Sequence, residues 1–280
     1  MVEQTLMVIG AHADDIELNV GGTLAKYRSR GYRVVYVMAT NNMAGAWHTT
    51  AQDGTRSSMR PSCTEMMRRR REEATAAAAY FGTTPIFLDY PQRHCRDEDG
   101  MDIELRYGCL RPKGVPEGVP SILTAHEDPA AVQRLADLIA THNPEAVICH
   151  GPVMVDLEHV ATCLLVTKAH AAAAESGCEG MLLHWLDITP TIYGRMHALW
   201  ETHVDVSLHL AEKLEAIGLH ACQMPDPKRL DFPSIGAACG CLHAEAFTIG
   251  AAGKRSRSTA FMDEIVANTR TICCSRDREA

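Results

Sequence analysis

The sequence predicts a doubly wound α/β fold, in which a mostly parallel sheet is flanked by helices within a single domain. Short apolar segments alternate along the chain with segments of helical character, which is the order expected of βαβ units. The 280 residues are 46% hydrophobic and 22% charged, an ordinary globular composition, and they suffice for one large core. No internal repeat divides the chain. These observations favour one domain over residues 1–280.

The first βαβ unit lies within the first forty residues. Thr5–Gly10 is an apolar run without alternation, which is typical of a strand buried on both faces. After the pair Gly21-Gly22, the segment TLAKYRSR predicts a helix that ends at Gly31. Tyr32–Thr40 is rich in β-branched and aromatic residues and predicts the second strand. This spacing predicts that the two strands are parallel neighbours.

The same alternation continues along the rest of the chain. The predicted helices are 66–81, Ala130–Thr141, Val160–Glu175 and Leu208–His220. The predicted strands are Pro85–Asp89, Ala146–His150, Thr191–Met196 and Thr202–Val206. The order predicts a Rossmann-like sheet, with the segment from about residue 235 as a decoration and 273–280 as a frayed tail.

Two connections are too long to be simple turns. Residues 41–64 and 91–125 are rich in Gly, Pro, Asp and Arg, and loops beyond about 12 to 15 residues are usually functional or disordered. The first of them follows a strand, so we expect it at the carboxyl edge of the sheet, where open α/β folds bind ligands.

Charge and cysteine content exclude several classes of protein. The chain has 27 basic and 35 acidic residues, a net charge of −8, which argues against binding nucleic acid or anionic membranes. No apolar stretch reaches the roughly 18 to 20 residues that a membrane span needs. The 11 cysteines are scattered and odd in number, which predicts reduced thiols and a cytoplasmic location. The oligomeric state stays open, and a homo-oligomer is compatible with the sequence.

The polar segment directly after the first strand carries the chemistry. It reads GAHADDIE and contains His12, Asp14 and Asp15. A dinucleotide-binding turn is the obvious alternative, but the glycines do not follow G-x-G-x-x-G, and two carboxylates would repel a pyrophosphate. Carboxylates beside an imidazole suit a cation instead. The sequence therefore favours a metal site at this strand end.

A third ligand is expected from another strand end on the same edge. His12 and Asp15 are three residues apart in a turn, and imidazole nitrogen and carboxylate oxygen are ordinary zinc ligands. His159 follows the strand Ala146–His150 after a short loop and stands at the start of the next helix. If the two strands are neighbours at a topological switch point, the three side chains converge.

Several motifs in this chain resemble those of the PIG-L/LmbE-like deacetylases. The letters AHADD, followed by GGT, a helix and a strand, are similar to the family signature AHPDDE. The helix MRRRREEATAAAAYFG is similar to the R-x-x-E helix of the family, here Arg70 and Glu73, and VDLEHVAT to its second metal motif ending in (D/E)-H. Weaker similarities are KLEAIGLHACQ, to a K-x-x-A-x-x-x-H-x-x-Q stretch, and HAEAF near 243–247. The motifs occur in family order over most of the chain.

This resemblance implies a zinc site, one ion per chain, made by His12, Asp15 and His159, with Asp14 as the general base. Three protein ligands leave one position for water, as in catalytic zinc sites. The implied reaction is attack of a zinc-bound water on the amide of an N-acetylated amino sugar or glycoconjugate, which releases acetate and an amine. Arg70 matches the arginine that binds substrate in the family.

The chain departs from the family pattern in four places. Ala13 replaces the usual proline, and Asp156 stands where many members carry a histidine that stabilises the tetrahedral intermediate. Gln92 replaces an acid in the L-x-x-P-D pattern, and Thr40-Asn41-Asn42-Met43 replaces T-x-G-E. These changes leave the metal ligands intact and concern the substrate, so Asp156 joins Arg70 as a candidate for substrate binding.

Other interpretations of the same residues stay open. The same fold family includes a hydratase that adds water to an unsaturated carboxylic acid, and a carbohydrate-binding module that holds metal without turnover is a third possibility. The ligand set also suits iron or cobalt. Glu158 is a candidate for orienting His159, and His220 and His243 are further candidates for the site.

Overall fold

The structure is a computed structural model that describes most of the chain in detail. The described residues are 4–45, 47–59, 61–92, 94–96, 102–104, 120–152, 154, 156–186, 200–224, 226–227, 235–253 and 259–269. The predicted strand Thr191–Met196 and the predicted tail 273–280 lie outside these residues.

Seven strands form one main sheet, and the predicted fold class is confirmed. Its strands are β1 (Thr5–Gly10), β2 (Arg33–Thr40), β5 (Ile86–Tyr90), β8 (Ala146–His150), β9 (Met181–Trp185), β10 (Thr202–Asp205) and β11 (Ala244–Ala251). Two hairpins lie outside it, β3 (Trp47–Thr50) with β4 (Arg56–Met59) and β6 (His94–Arg96) with β7 (Asp102–Glu104). The order of the main sheet is β10-β11-β9-β8-β1-β2-β5, and β11 runs antiparallel to both of its neighbours.

Helices cover both faces of the sheet. They are α1 (Asp15–Ser29), α2 (Cys63–Tyr80), α3 (Ile122–Ala125), α4 (Pro129–His142), α5 (Leu157–Glu175), α6 (Leu210–Gly218), α7 (Ile235–Cys239) and α8 (Ala260–Ala267). Apolar side chains of α1 and α8 pack on one face of the sheet, and those of α3, α4 and α5 pack on the other. Alternate residues of β1 and β8 contribute to the two cores, which explains why both strands are apolar without alternation.

The first helix begins earlier than the sequence suggests. The sequence predicts the helix only after the glycine pair, but α1 begins at Asp15 and contains Gly21 and Gly22. A Cβ at Gly22 would lie 2.8 Å from the Val206 side chain, so this glycine permits close packing and does not mark a turn.

The C-terminal part of the chain adds elements that the sequence does not predict. Residues after 235, expected as a decoration, supply β11, which pairs between β9 and β10 in the main sheet. The long loop 41–64 contains the hairpin β3–β4, and α3 follows in the second long loop. No helix among the described residues combines the length and the apolarity that crossing a bilayer demands.

The topology places one switch point at the first strand. From β1 the chain continues to β2 on one side, whereas the later strand β8 pairs with the opposite side of β1. Both pairs are parallel, so Gly10 and His150 end their strands side by side at the carboxyl edge. This is the crevice where ligands bind in open α/β sheets.

A buried ion pair ties the C-terminal strand to two helices. Lys213 on α6 lies 2.6 Å from the Glu245 carboxylate on β11, and both side chains are almost fully buried. Glu245 also accepts hydrogen bonds from the backbone N–H groups of Gly22 and Thr23 in α1. The pair therefore joins α1, α6 and β11.

The substitution Lys213→Met tests this connection. We expect it to lower the free energy of unfolding by about 3–5 kcal/mol, because it leaves the Glu245 carboxylate buried without its cation. Urea unfolding measures the loss. Lys168→Met is the control, since the Lys168 ammonium donates to the backbone carbonyl of His126 at the protein surface. Equal stabilities of the two variants would contradict the assignment.

Candidate metal centre

The turn after β1 is fixed by backbone hydrogen bonds to neighbouring strands. The Ala11 N–H donates to His150 Nε2 at 2.9 Å, and the Thr40 hydroxyl donates to the Ala11 carbonyl at 2.7 Å. Within the turn, the His12 N–H donates to Asp15 Oδ2 at 2.6 Å. The turn therefore holds the His12 and Asp15 side chains on the same side of the crevice.

The three predicted metal ligands converge. His12 Nδ1 lies 3.1 Å from His159 Nε2 and 3.5 Å from Asp15 Oδ2. His159 Nε2 lies 3.3 Å from Asp15 Oδ1. Among the described residues, only these three form a group of His, Cys, Asp or Glu side chains that could hold a metal ion. The two histidines are 147 residues apart in the sequence, and the pairing of β1 with β8 brings them together in space.

The spacing of the ligand atoms fits a divalent cation. A tetrahedral zinc ion with ligands at about 2.0–2.1 Å places those ligands about 3.3 Å apart, close to the distances observed here. The side chains of His12, Asp15 and His159 are 12%, 9% and 13% exposed, so one side of the group faces solvent. Two imidazoles and one carboxylate also suit iron or cobalt. The residues present therefore fit the implied metal.

Glu158 orients the first histidine of the group and not its own neighbour. Its carboxylate lies 2.5 Å from His12 Nε2, the ring nitrogen that points away from the other ligands. Gln92 donates from Nε2 to the same carboxylate at 2.9 Å and accepts a hydrogen bond from the Ala44 N–H. Carboxylates that bind the distal nitrogen of a metal-ligating histidine fix its ring and raise its basicity.

His150 is a site residue that the sequence analysis does not single out. It is fully buried at the end of β8, stacks on the His159 ring at 4.0 Å and lies 3.2 Å from Asp15 Oδ2. Burial and then the charge of His159 lower its pKa to about 4. His150 supports the turn, because its Nε2 accepts the Ala11 N–H. Its polar character at the end of an apolar strand is the only sequence feature that marks it.

Asp14 and Arg70 form an ion pair beside the ligand group. Arg70 Nη2 lies 3.1 Å from Asp14 Oδ1, and both residues are buried. No other hydrogen bond to the Asp14 carboxylate is formed by the described residues. Burial raises the pKa of Asp14 above its ordinary value, with a contribution from Asp15, although Arg70 opposes the shift. The pair places a carboxylate with raised basicity next to the candidate metal position.

The charges of the ligand group depend on each other. Burial opposes ionisation of Asp15, but the surrounding His159, His150 and His12 hold its pKa well below the usual range. Burial likewise opposes protonation of His12, yet Asp15 and Glu158 together raise its pKa to about 9. Each group therefore favours the charged form of the other.

The remaining predicted site residues lie outside the ligand group. Asp156 caps α5, where its Oδ1 accepts the Glu158 N–H at 2.8 Å, and its role in substrate binding stays a prediction. His220 is fully buried and lies 2.8 Å from Glu17 Oε2. His243 directly precedes β11, and its carbonyl accepts the Val206 N–H. Neither histidine belongs to the ligand group.

Comparisons with known proteins agree with this geometry. The family model of GlcNAc-PI de-N-acetylase (PIG-L) matches residues 7–170. A 1D-myo-inositol 2-acetamido-2-deoxy-alpha-D-glucopyranoside deacetylase from Nocardia farcinica is 27% identical over 199 residues, which are 69% of this chain and 60% of that protein. The match thus spans only three fifths of that relative's length.

Solved structures share the fold at low identity. An N,N'-diacetylchitobiose deacetylase from Pyrococcus horikoshii aligns with a TM-score of 0.58 and 19% identity, over 89% of this chain and 84% of that one. The 4-carboxy-2-hydroxymuconate hydratase GalB from Pseudomonas putida aligns with a TM-score of 0.62 and 18% identity, over 92% and 100%. A zinc-inhibited form of the teicoplanin deacetylase Orf2 aligns with a TM-score of 0.57 and 18% identity, over 88% and 97%.

The protonation of His12 predicts how stability changes with pH in protein stripped of metal. The pKa of His12 is about 9 in the folded chain and about 6.5 in an unfolded one. Protonation of His12 therefore makes its full contribution to the free energy of unfolding below pH 6.5, and this contribution is lost as the pH rises through about 9. We expect the free energy of unfolding to fall over that interval.

Chemical denaturation at a series of pH values measures this fall in the chelator-treated protein. His12→Gln removes the titrating group and should flatten the curve between those limits. His209→Gln, at an outlying imidazole paired with Glu212, serves as the control and should keep the wild-type slope. An unchanged slope in His12→Gln would rule out a raised pKa at His12.

Proposed function

The chain belongs to the GlcNAc-PI de-N-acetylase (PIG-L) family, and from this premise we propose that it is a metal-dependent hydrolase. It removes an N-acetyl group from an N-acetylated amino sugar or glycoconjugate. The observation that carries the proposal is the convergence of His12, Asp15 and His159 on one point beside the buried Asp14. A small-molecule substrate is its partner, and we expect no nucleic acid.

Zinc is the ion we propose for the site, with one ion per chain. His12, Asp15 and His159 would hold it, and Glu158 would fix the His12 ring from behind. When bound, such an ion acts as a Lewis acid that polarises a carbonyl and lowers the pKa of water to about 7.

Asp14 is the proposed general base. Its raised pKa favours acceptance of a proton from the attacking water, because a base works best when its pKa approaches the operating pH. Water adds to the amide carbonyl, the C–N bond breaks, and the proton held on the Asp14 carboxylate passes to the leaving nitrogen. The second proton of the water also ends on the nitrogen, so the products are acetate and a protonated primary amine, and atoms and charges balance.

Arg70 holds this base in place. Its guanidinium binds Asp14 Oδ1 and leaves the other carboxylate oxygen for the proton. The sequence also predicts substrate contacts for Arg70 and Asp156, and both stay proposals. Asp156 caps α5, where its Oδ1 accepts the Glu158 N–H at the start of the helix that carries His159.

A hydratase acting on an unsaturated acid is the second candidate. It is favoured by Asp156, which stands where many deacetylases of the family carry a histidine for the oxyanion. An aspartate supplies no positive charge to such an intermediate. Addition of water to a double bond needs the same base but releases no amine, so the two reactions are separated by their products.

The substitution Asp14→Asn tests the proposed base. We expect amine release from the best substrate in a panel of N-acetylated sugars to fall by about 10²–10⁴-fold, because the amide cannot accept a proton. Bound zinc, measured by elemental analysis, should stay near one per chain. Asp89→Asn is the matched control, since Asp89 is an exposed partner of Arg71 and should keep full activity.

Each result of this assay decides between the candidates. Amine and acetate released in equal amounts support the deacetylase. Turnover of an enoic acid with no amine from any amide replaces it with the hydratase. Bound zinc with no turnover of either class leaves the metal-holding carbohydrate-binding module. Activity unchanged in Asp14→Asn rejects Asp14 as the base.

A further inference from the structure

The peptide groups on both sides of Ala13 are held by side chains from elsewhere in the chain. The Ala13 N–H donates to Asn42 Oδ1 at 2.7 Å. The Ala13 carbonyl accepts a hydrogen bond from Arg70 Nη2 at 2.5 Å. Ala13 is fully buried, so neither group is hydrated in the described structure. These two bonds fix the orientation of the backbone just before Asp14 and Asp15.

The backbone at Asp14 needs such support. Its φ is +111°, a region that residues other than glycine rarely adopt and that persists only when the surroundings enforce it. Asp14 occupies the N-cap position of α1, but its side chain makes no capping hydrogen bond. The local sequence therefore does not stabilise this turn by itself, and the bonds to Ala13 supply the constraint.

Asn42 is itself fixed in a buried environment. Its φ of +60° is one that asparagine tolerates better than most residues, and its side chain is almost fully buried. Its Nδ2 donates to the Thr40 carbonyl at 3.2 Å, and its N–H lies 3.3 Å from the Thr40 hydroxyl. Because Nδ2 is used by a carbonyl, the amide presents Oδ1 to the Ala13 N–H.

Two departures from the family pattern meet at this contact. A proline at position 13 has no N–H, so it needs no acceptor, and it restricts the backbone through its ring. A glycine at position 42, as in T-x-G-E, offers no acceptor. In this chain Ala13 has a buried N–H donor, and Asn42 supplies its acceptor. Asn42 also keeps the positive φ that a glycine would accept at this position. A buried N–H without a partner would be costly.

We propose that Asn42 is a positioning residue: its carboxamide replaces the constraint that proline would supply at position 13 and thereby holds Asp14 and Asp15 in place. It acts through the Ala13 peptide together with Arg70, and it does not contact the substrate. The kinetic part of its test rests on the proposed function. The metal-binding and stability parts do not.

Three variants of the full-length protein test this role. Asn42→Gly removes the acceptor and keeps a residue that accepts the positive φ. Ala13→Pro removes the donor and places a proline ring carbon next to Asn42 Oδ1. In the native chain the Ala13 nitrogen lies 2.7 Å from that oxygen. The double variant restores the proline–glycine combination. Asn143→Gly is the matched control, because Asn143 also has a positive φ and is exposed at the end of α4.

Each single variant should weaken zinc binding, measured by chelator competition, by about 10- to 100-fold, the loss typical when a group that supports metal ligands is replaced. We expect a similar fall in kcat with little change in KM, because the substrate contacts stay in place. The double variant should recover at least tenfold of the lost zinc affinity. Asn143→Gly should bind zinc like the wild type.

The recovery in the double variant is the decisive result. If Asn42 only stabilised its own loop, a proline at position 13, after the neighbouring strand, would not compensate for its loss. If a single variant does not fold, thermal unfolding of the double variant serves the same purpose, and a restored midpoint supports the proposal. Additive losses in the double variant, or zinc affinity unchanged in Asn42→Gly, would overturn it. Absence of amide hydrolysis in the wild type would reject the proposed function and leave the zinc-binding test valid.

Discussion

The carboxylate of Asp15 is the interaction on which the candidate centre depends. Its two oxygens lie within 3.2–3.5 Å of nitrogens from His12, His150 and His159. Burial would favour its neutral form, yet these imidazoles keep it ionised. An ionised carboxylate in a buried position needs positive charge nearby. The raised pKa of His12 shows one way to supply it, and a divalent cation between the same three ligands is the other.

The fold brings these groups together by ending two apolar strands side by side. β1 and β8 are parallel neighbours at the switch point, so the turn after β1 and the first turn of α5 share one crevice. Two residues of that turn have their backbone groups held by side chains of other segments: Ala11 by His150 and Thr40, and Ala13 by Asn42 and Arg70. A catalytic site needs rigid support of this kind to hold its reacting groups in the productive geometry.

The sequence predicts the parts of the fold and site that depend on local pattern or on recognisable motifs. The bounds of β1 and β8 follow from buried apolar runs, and His12, Asp15 and His159 follow from their places at strand ends. It does not predict β11, because a strand that inserts antiparallel after a long excursion depends on long-range pairing. The supporting roles of Asn42, Gln92 and His150 are likewise not predicted, since they come from contacts between distant segments.

Anomalous diffraction at the zinc edge, from crystals grown with zinc, tests the central claim most directly. We expect one peak per chain, about 2.0–2.2 Å from His12 Nδ1, His159 Nε2 and an Asp15 carboxylate oxygen. A peak at other residues, or no peak between these three side chains in crystals grown with excess zinc, would contradict the proposed metal site.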